Sequence, residues 1–194
     1  GETTLKIIIA PDSFKGSMDA IDVAKSIEKG VKRVLPRCET LLLPVGDGGE
    51  GTLEVLIKAT GGEIRTCHVK GPRGDMVEAK YGILGNRNTC VIEMSTASGL
   101  NLTTPGSREI LKASSYGTGE LILNALNDGL RDFIITLGGS ATNDGGLGML
   151  SALGLKAVDS FGNELKSGGG DLSKIVSIDN TTFDKRIHEC NFII

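Results

Sequence analysis

Apolar runs and helical periodicity alternate at the start of the chain. Ile7, Ile8 and Ile9 form a β-branched run closed by Pro11-Asp12, which predicts a buried strand over residues 6–10. Ala20, Val23, Ala24, Ile27, Val31 and Val34 then recur at helical spacing, with Asp22, Lys25, Lys29 and Lys32 on the other face. A helix is expected there, capped by Ser17 and ended by Pro36. Leu41, Leu42 and Leu43 read as a second strand, and residues 52–59 as a short helix stopped by Gly61-Gly62. This order is the grammar of a parallel sheet whose ligand loops sit at the carboxyl ends of its strands.

The grammar changes near residue 65. Residues 64–69, 77–84 and 90–94 are strand-like, separated by the turn-rich stretches Gly71-Pro72-Arg73-Gly74-Asp75 and Gly85-Asn86-Arg87-Asn88, so an antiparallel meander is predicted. Residues 118–130 read as a helix burying Leu121, Ile122, Ala125 and Leu126, with Thr118 as a candidate cap. A strand over 133–137 and a helix through Leu153 restore the α/β pattern. Gly162-Asn163 is expected to turn a hairpin, and Gly168-Gly169-Gly170-Asp171 to be a flexible loop leading into a helix. The predicted class is α/β, with a first unit over residues 1–64 and a second, mixed unit over 65–194.

Composition narrows the function. A net charge of −3 without a long basic run argues against nucleic acid, and 4% aromatics with no Trp leave little to stack on single strands. No apolar stretch is long enough to span a bilayer. Cys38, Cys67, Cys90 and Cys190 show no C-x-x-C spacing, with only His68 and His188 to assist them, so reduced thiols of a cytoplasmic protein are expected rather than a zinc site. The 28 glycines cluster at turns between apolar runs, where backbone approaches ligands closely. Gly1-Glu2-Thr3-Thr4 reads as a processing or cloning remnant, and the apolar Phe192-Ile193-Ile194 as a strand just begun. A fragment is therefore expected, and an exposed edge leaves a homo-oligomer open.

The chemistry concentrates in three loops. Asp47-Gly48-Gly49-Glu50-Gly51 and Asp144-Gly145-Gly146-Leu147-Gly148 both read D-G-G-x-G between an apolar run and a helical stretch. Such turns present backbone N–H groups and a helix N-terminus to an anion, phosphate above all. The first is no Walker A motif, because Thr52 stands where Lys is required. The second lies in Gly138-Gly139-Ser140-Ala141-Thr142-Asn143-Asp144-Gly145-Gly146, which offers backbone donors, two hydroxyls and a candidate Mg²⁺ ligand in Asp144. The third, Asp12-Ser13-Phe14-Lys15-Gly16-Ser17, follows the first strand, with Lys15 as a mobile cation and Ser13 and Ser17 as hydroxyl donors. Ordinary solvated turns remain the competing explanation for each loop. Residues 93–100 and 115–119 are further small-residue segments that read equally as pocket wall or helix caps.

Residues 10–17, 44–52 and 137–146, taken in order, resemble the bacterial glycerate kinase family, type I, and the match runs from about Leu5 to the last residue. The resemblance implies ATP-dependent phosphorylation of D-glycerate, usually at the 2-hydroxyl, with Mg²⁺. It also implies two α/β domains around a cleft: a Rossmann-like first domain completed by C-terminal segments absent here, and an inserted second domain. Lys15, Asp12 and Asp47 become the catalytic candidates, Asp47 as acceptor of the hydroxyl proton. Ser13, Ser17, Gly48, Gly49, Glu50, Gly138, Gly139, Ser140, Thr142, Asn143 and Gly145 become substrate- or phosphate-binding candidates. Nothing in the sequence separates the roles of Asp12, Asp47 and Asp144. A nonenzymatic binding module for small anionic metabolites or nucleotides is the alternative, and the isolated fragment is expected to be inactive.

Overall fold

The computed structural model describes residues 5–103, 109–165 and 168–194; the remnant expected at residues 1–4 lies outside them. Strand β1 (Lys6–Ile9) runs into a loop and helix α1 (Ala20–Val34), which returns the chain to β2 (Glu39–Leu42). The two strands pair in parallel, with Lys6 opposite Glu39 and Ile9 opposite Leu42. Helix α1 buries Ala20, Val23 and Ala24, as its periodicity requires. Its cap is Asp19, whose carboxylate accepts the Asp22 N–H at 2.8 Å, and not Ser17. Ser17 is held earlier, in a tight reversal where Phe14 and Met18 exchange backbone hydrogen bonds.

Helix α2 (Thr52–Thr60) packs against the second sheet, which begins with the predicted meander of β3 (Glu63–Lys70), β4 (Met76–Ile83) and β5 (Thr89–Glu93). A short helix α3 (Ser95–Ser98) and the longer α4 (Tyr116–Asn127) then cross over to β6 (Asp132–Thr136), which pairs in parallel with β5. Thr118 is not a cap. It lies inside the first turn of α4, buried, with its hydroxyl bonded to that of Ser98 at 2.8 Å.

After β6 come α5 (Leu147–Ala152), β7 (Lys156–Val158), β8 (Glu164–Leu165), β9 (Ser177–Asp179) and β10 (Asn191–Ile193). β10 joins β6 in parallel, so the larger sheet runs β10-β6-β5-β4-β3. The Phe192 ring stacks on Phe133 there, with centroids 5.0 Å apart. The Gly162 turn does make a hairpin, and β8-β7-β9 form a small antiparallel sheet. The segment expected to be a flexible loop is instead a 3-10 turn, Gly169–Lys174, laid on the neighbouring chain. A Cβ at Gly168 would stand 2.3 Å from the Ala113 carbonyl oxygen, so only glycine permits that approach.

The core lies between the larger sheet and α4. Leu121, Ile122, Ala125 and Leu126 pack on Val69, Tyr81, Cys90, Ile92 and Phe133. All four cysteines are free thiols, and burial pushes the Cys90 thiol up to about 12. Among the described residues no helix is long and apolar enough to cross a membrane.

Candidate active site

A cleft of about 850 Å³ opens where the loops after β1 and β2 face the carboxyl end of β5. Asp12, Ser13, Lys15 and Ser17 line it from the first loop, and Asp47, Gly49 and Glu50 from the second. These loops are neighbours because β1 and β2 are parallel partners, and the pairing continues past the strands: the Val45 N–H donates to the Pro11 carbonyl at 3.0 Å. The opposite wall comes from Glu78 and Lys80 of β4, Glu93 at the end of β5, Ser95 and Thr96 of α3, and Asn101 beyond it.

The first D-G-G turn is tied down from several sides. Asp47 Oδ1 accepts the Gly49 N–H at 2.8 Å, and Thr52 Oγ1 accepts the Gly48 N–H at 3.1 Å. The Gly48 carbonyl accepts the Gly138 N–H at 3.1 Å, which sets the second glycine-rich loop against the first. That contact requires glycine, since a Cβ at 138 would stand 2.6 Å from Gly49 Cα. Gly139 and Ser140 continue along the α3 wall: Leu100 N–H donates to the Gly139 carbonyl, and Ser140 bridges Gly99.

The second D-G-G turn faces elsewhere. Asp144 is 2% exposed, and its Oδ2 accepts the Ser115 N–H (2.8 Å), the Ser115 hydroxyl (2.9 Å) and the Gly148 N–H (3.1 Å), while Oδ1 accepts the Gly146 N–H (3.1 Å). The anion seat made by the N-terminal turns of α4 and α5 is thus filled by the chain's own carboxylate. Asp144 does not border the cleft, and neither do Gly48, Gly138, Gly139, Ser140, Thr142, Asn143 or Gly145. Thr142 instead exchanges hydrogen bonds with Ser140, and exposed Asn143 and Gly145 lie against the 3-10 turn that starts at Gly169. Sequence likeness between the two D-G-G turns therefore hides two different environments.

Among the cleft residues not singled out by their chemistry in the sequence are Glu93 and Lys80. Glu93 is 2% exposed, yet it borders the cleft, and its Oε1 accepts the Leu53 N–H at 2.7 Å. That bond caps α2 from a strand forty positions away; the helix has no side-chain cap of its own, because Gly51 stands at its N-cap. Burial pushes the Glu93 carboxyl up; the Leu53 N–H and Lys80 oppose this, and the Glu54 and Glu50 charges add to it. Lys80, in turn, is ion-paired with Glu54 of α2. A lone Glu closing the apolar run Cys90-Val91-Ile92 was the one available signal for Glu93.

Among the described residues that line the cleft, carboxylates outnumber the two lysines, Lys15 and Lys80. An anionic ligand such as a nucleotide would be repelled from such a cleft unless a cation came with it. Among the described residues no group of three or more His, Cys, Asp or Glu could hold a metal by itself. Mg²⁺ bound through phosphate oxygens needs only one or two protein carboxylates, and Asp12 and Asp47 on adjacent loops are of that kind.

The model of the glycerate kinase family matches residues 7–194. The chain belongs to that family. It is 50% identical over 186 residues to the glycerate 2-kinase of Escherichia coli strain K12, covering 96% of this chain and 49% of that protein. It is 49% identical over 185 residues to a glycerate kinase of Haemophilus influenzae, covering 95% and 49%. A crystal structure from Salmonella typhimurium LT2, of a chain assigned as glycerate kinase 2, superposes with a TM-score of 0.86 at 47% identity, over 98% of this chain and 51% of that one. The chain spans about half the length of these glycerate kinase relatives.

Proposed function

We propose that the protein carrying this chain phosphorylates D-glycerate with ATP, at the 2-hydroxyl, giving 2-phosphoglycerate and ADP in the cytoplasm. The observation that carries the reading is the cleft itself: in a member of this family, Asp12, Lys15 and Asp47 meet on loops at the carboxyl ends of paired parallel strands. The relative from Escherichia coli is named a 2-kinase, which favours that hydroxyl. We take residues 1–64 and 65–194 as the two units that bound the cleft, with α2 packed across the division.

Phosphoryl transfer demands alignment and charge neutralisation more than covalent chemistry. Lys15 is exposed on its loop and forms no ion pair among the described residues, so its ammonium is available to a carboxylate or phosphate. Asp12 and Asp47 would hold Mg²⁺ with the nucleotide phosphates; when bound, the ion neutralises charge on the transferring group. Gly49 and Gly51 keep side chains off the cleft face of the turn, so a ligand can come close to its backbone there. Asp144 has a structural role in this reading and takes no part in metal binding, because four donors already occupy its carboxylate.

The test is the full-length protein incubated with ATP, Mg²⁺ and D-glycerate. ADP formation, with a ³¹P spectrum of the 2-phosphate ester, is expected. No ADP, with glycerate still bound, would return the protein to a binding module. The 194-residue chain alone is expected to turn over weakly, since its two-stranded first sheet leaves Ile8 and Leu43 exposed beside the cleft loops.

A further inference from the structure

We propose that Glu93, rather than Asp47, is the catalytic residue that takes the proton from the acceptor hydroxyl; the proposal rests on the phosphoryl-transfer reading above. Four observations converge on it. Glu93 closes β5 at the carboxyl end, directly opposite Thr136 of parallel β6, so its backbone is held by the strand pairing. Its side chain is nearly all buried, yet it borders the cleft from the wall facing Lys15 and Asp47. One carboxylate oxygen is fixed by the Leu53 N–H, which sets the plane of the group. The other oxygen has no hydrogen-bond partner among the described residues, and it is not among the fully enclosed atoms that lack one, so it is open to a ligand in the cleft.

Asp47 fits the same task less well. It is exposed, and one of its oxygens is engaged by the Gly49 N–H within its own turn. Burial raises the basicity of Glu93. The charged groups that face Glu93 are Glu50 and Glu54 from the loop and helix beside it, and Lys80 from the adjoining strand. The two acids raise its proton affinity and Lys80 keeps it ionisable.

The step balances with ATP as co-reactant. The hydroxyl oxygen of glycerate forms a bond to the terminal phosphorus of ATP, and the bond from that phosphorus to the bridging oxygen of ADP breaks. The bonding pair of the broken bond leaves with ADP. The hydroxyl proton passes to the open oxygen of Glu93 and from there to water after product leaves. Nothing is oxidised or reduced.

The experiment uses the full-length protein with ATP, Mg²⁺ and D-glycerate. Glu93→Gln retains an oxygen to accept the Leu53 N–H but loses the proton acceptor, so kcat should fall at least about 100-fold with no loss of melting temperature and KM for glycerate little changed. A purely positioning role predicts the opposite, with Gln active and only Glu93→Ala impaired. The wild-type profile of kcat against pH should show an acid limb above the ordinary carboxylate range. Folded Glu93→Gln with kcat within about tenfold of wild type overturns the proposal, since general-base loss is worth more than that. Should that variant fail to fold, the wild-type profile decides: an acid limb in that range supports Glu93, and a flat one overturns it. Wild-type protein that makes no ADP overturns the kinase reading and this proposal together, whereas active wild type with active Gln variant overturns this proposal alone.

Discussion

Asp144 and Glu93 are both buried carboxylates, and their surroundings give them opposite consequences. Asp144 is satisfied by three N–H groups and one hydroxyl from α4, α5 and the turns before them. Removing it in Asp144→Ala strands those donors in the interior, and we expect a loss of about 3 kcal/mol in urea unfolding. Mg²⁺ affinity should not change beyond what unfolding explains; a selective loss would return Asp144 to the metal. Glu93 has one donor on its carboxylate, and burial raises its proton affinity in the folded state. The native state therefore holds its proton to higher pH than the unfolded chain does, and stability falls as pH rises from the unfolded value near 4.5 through the raised folded one. Glu93→Gln escapes that loss, so its melting temperature relative to wild type should rise on going from acid to neutral pH. A constant difference across that range would show that the carboxyl is not perturbed. Lys15 is exposed, so Lys15→Ala in the full-length protein should cost kcat/KM about 100-fold or more while leaving the melting temperature within a degree or two.

At the scale of elements, the site depends on how loops are tethered. Helix α2 begins without a cap of its own, and Glu93 of β5 supplies the missing acceptor. The turn before it is pressed against Gly138, which β6 delivers. Gly138→Ala would force its new methyl to within 2.6 Å of Gly49 Cα and 2.7 Å of the Gly48 carbonyl oxygen. The loops must part, and overpacking of this kind costs about 1–3 kcal/mol. We expect glycerate turnover to fall further than stability does, because Asp47 and Glu50 ride on the displaced turn; the ratio of the two losses, read from kcat and from urea midpoints, checks it.

The whole molecule is unevenly built. The larger sheet and α4 enclose a continuous core, whereas the β1–β2 pair has α1 against it and leaves Ile8 59% and Leu43 47% exposed. A two-stranded sheet has little stability of its own, so the cleft joins a stiff wall to a softer one. Hydrogen exchange on this chain should show β1 and β2 amides exchanging orders of magnitude faster than those of β5 and β6. Equal protection would mean that the first unit is held as firmly as the second.

Most elements were legible along the chain because their signals are local. The isoleucines of β1, the spacing from Ala20 to Val34 and the turn residues between β3, β4 and β5 each report on neighbours within a few positions. The grouping of Asp12, Lys15 and Asp47 followed from the same grammar, since loops after parallel strands emerge on one side of a sheet. What the sequence could not separate were two D-G-G turns with nearly the same letters. Their difference lies in partners at long range: Ser115 reaches Asp144, while Gly138 reaches the turn of Asp47 and Glu93 the start of the helix after it. Glu93 stayed hidden for a related reason. Whether a carboxylate is solvated, enclosed or half-open to a cleft depends on which elements fold over it, and only the tertiary structure brings those elements together.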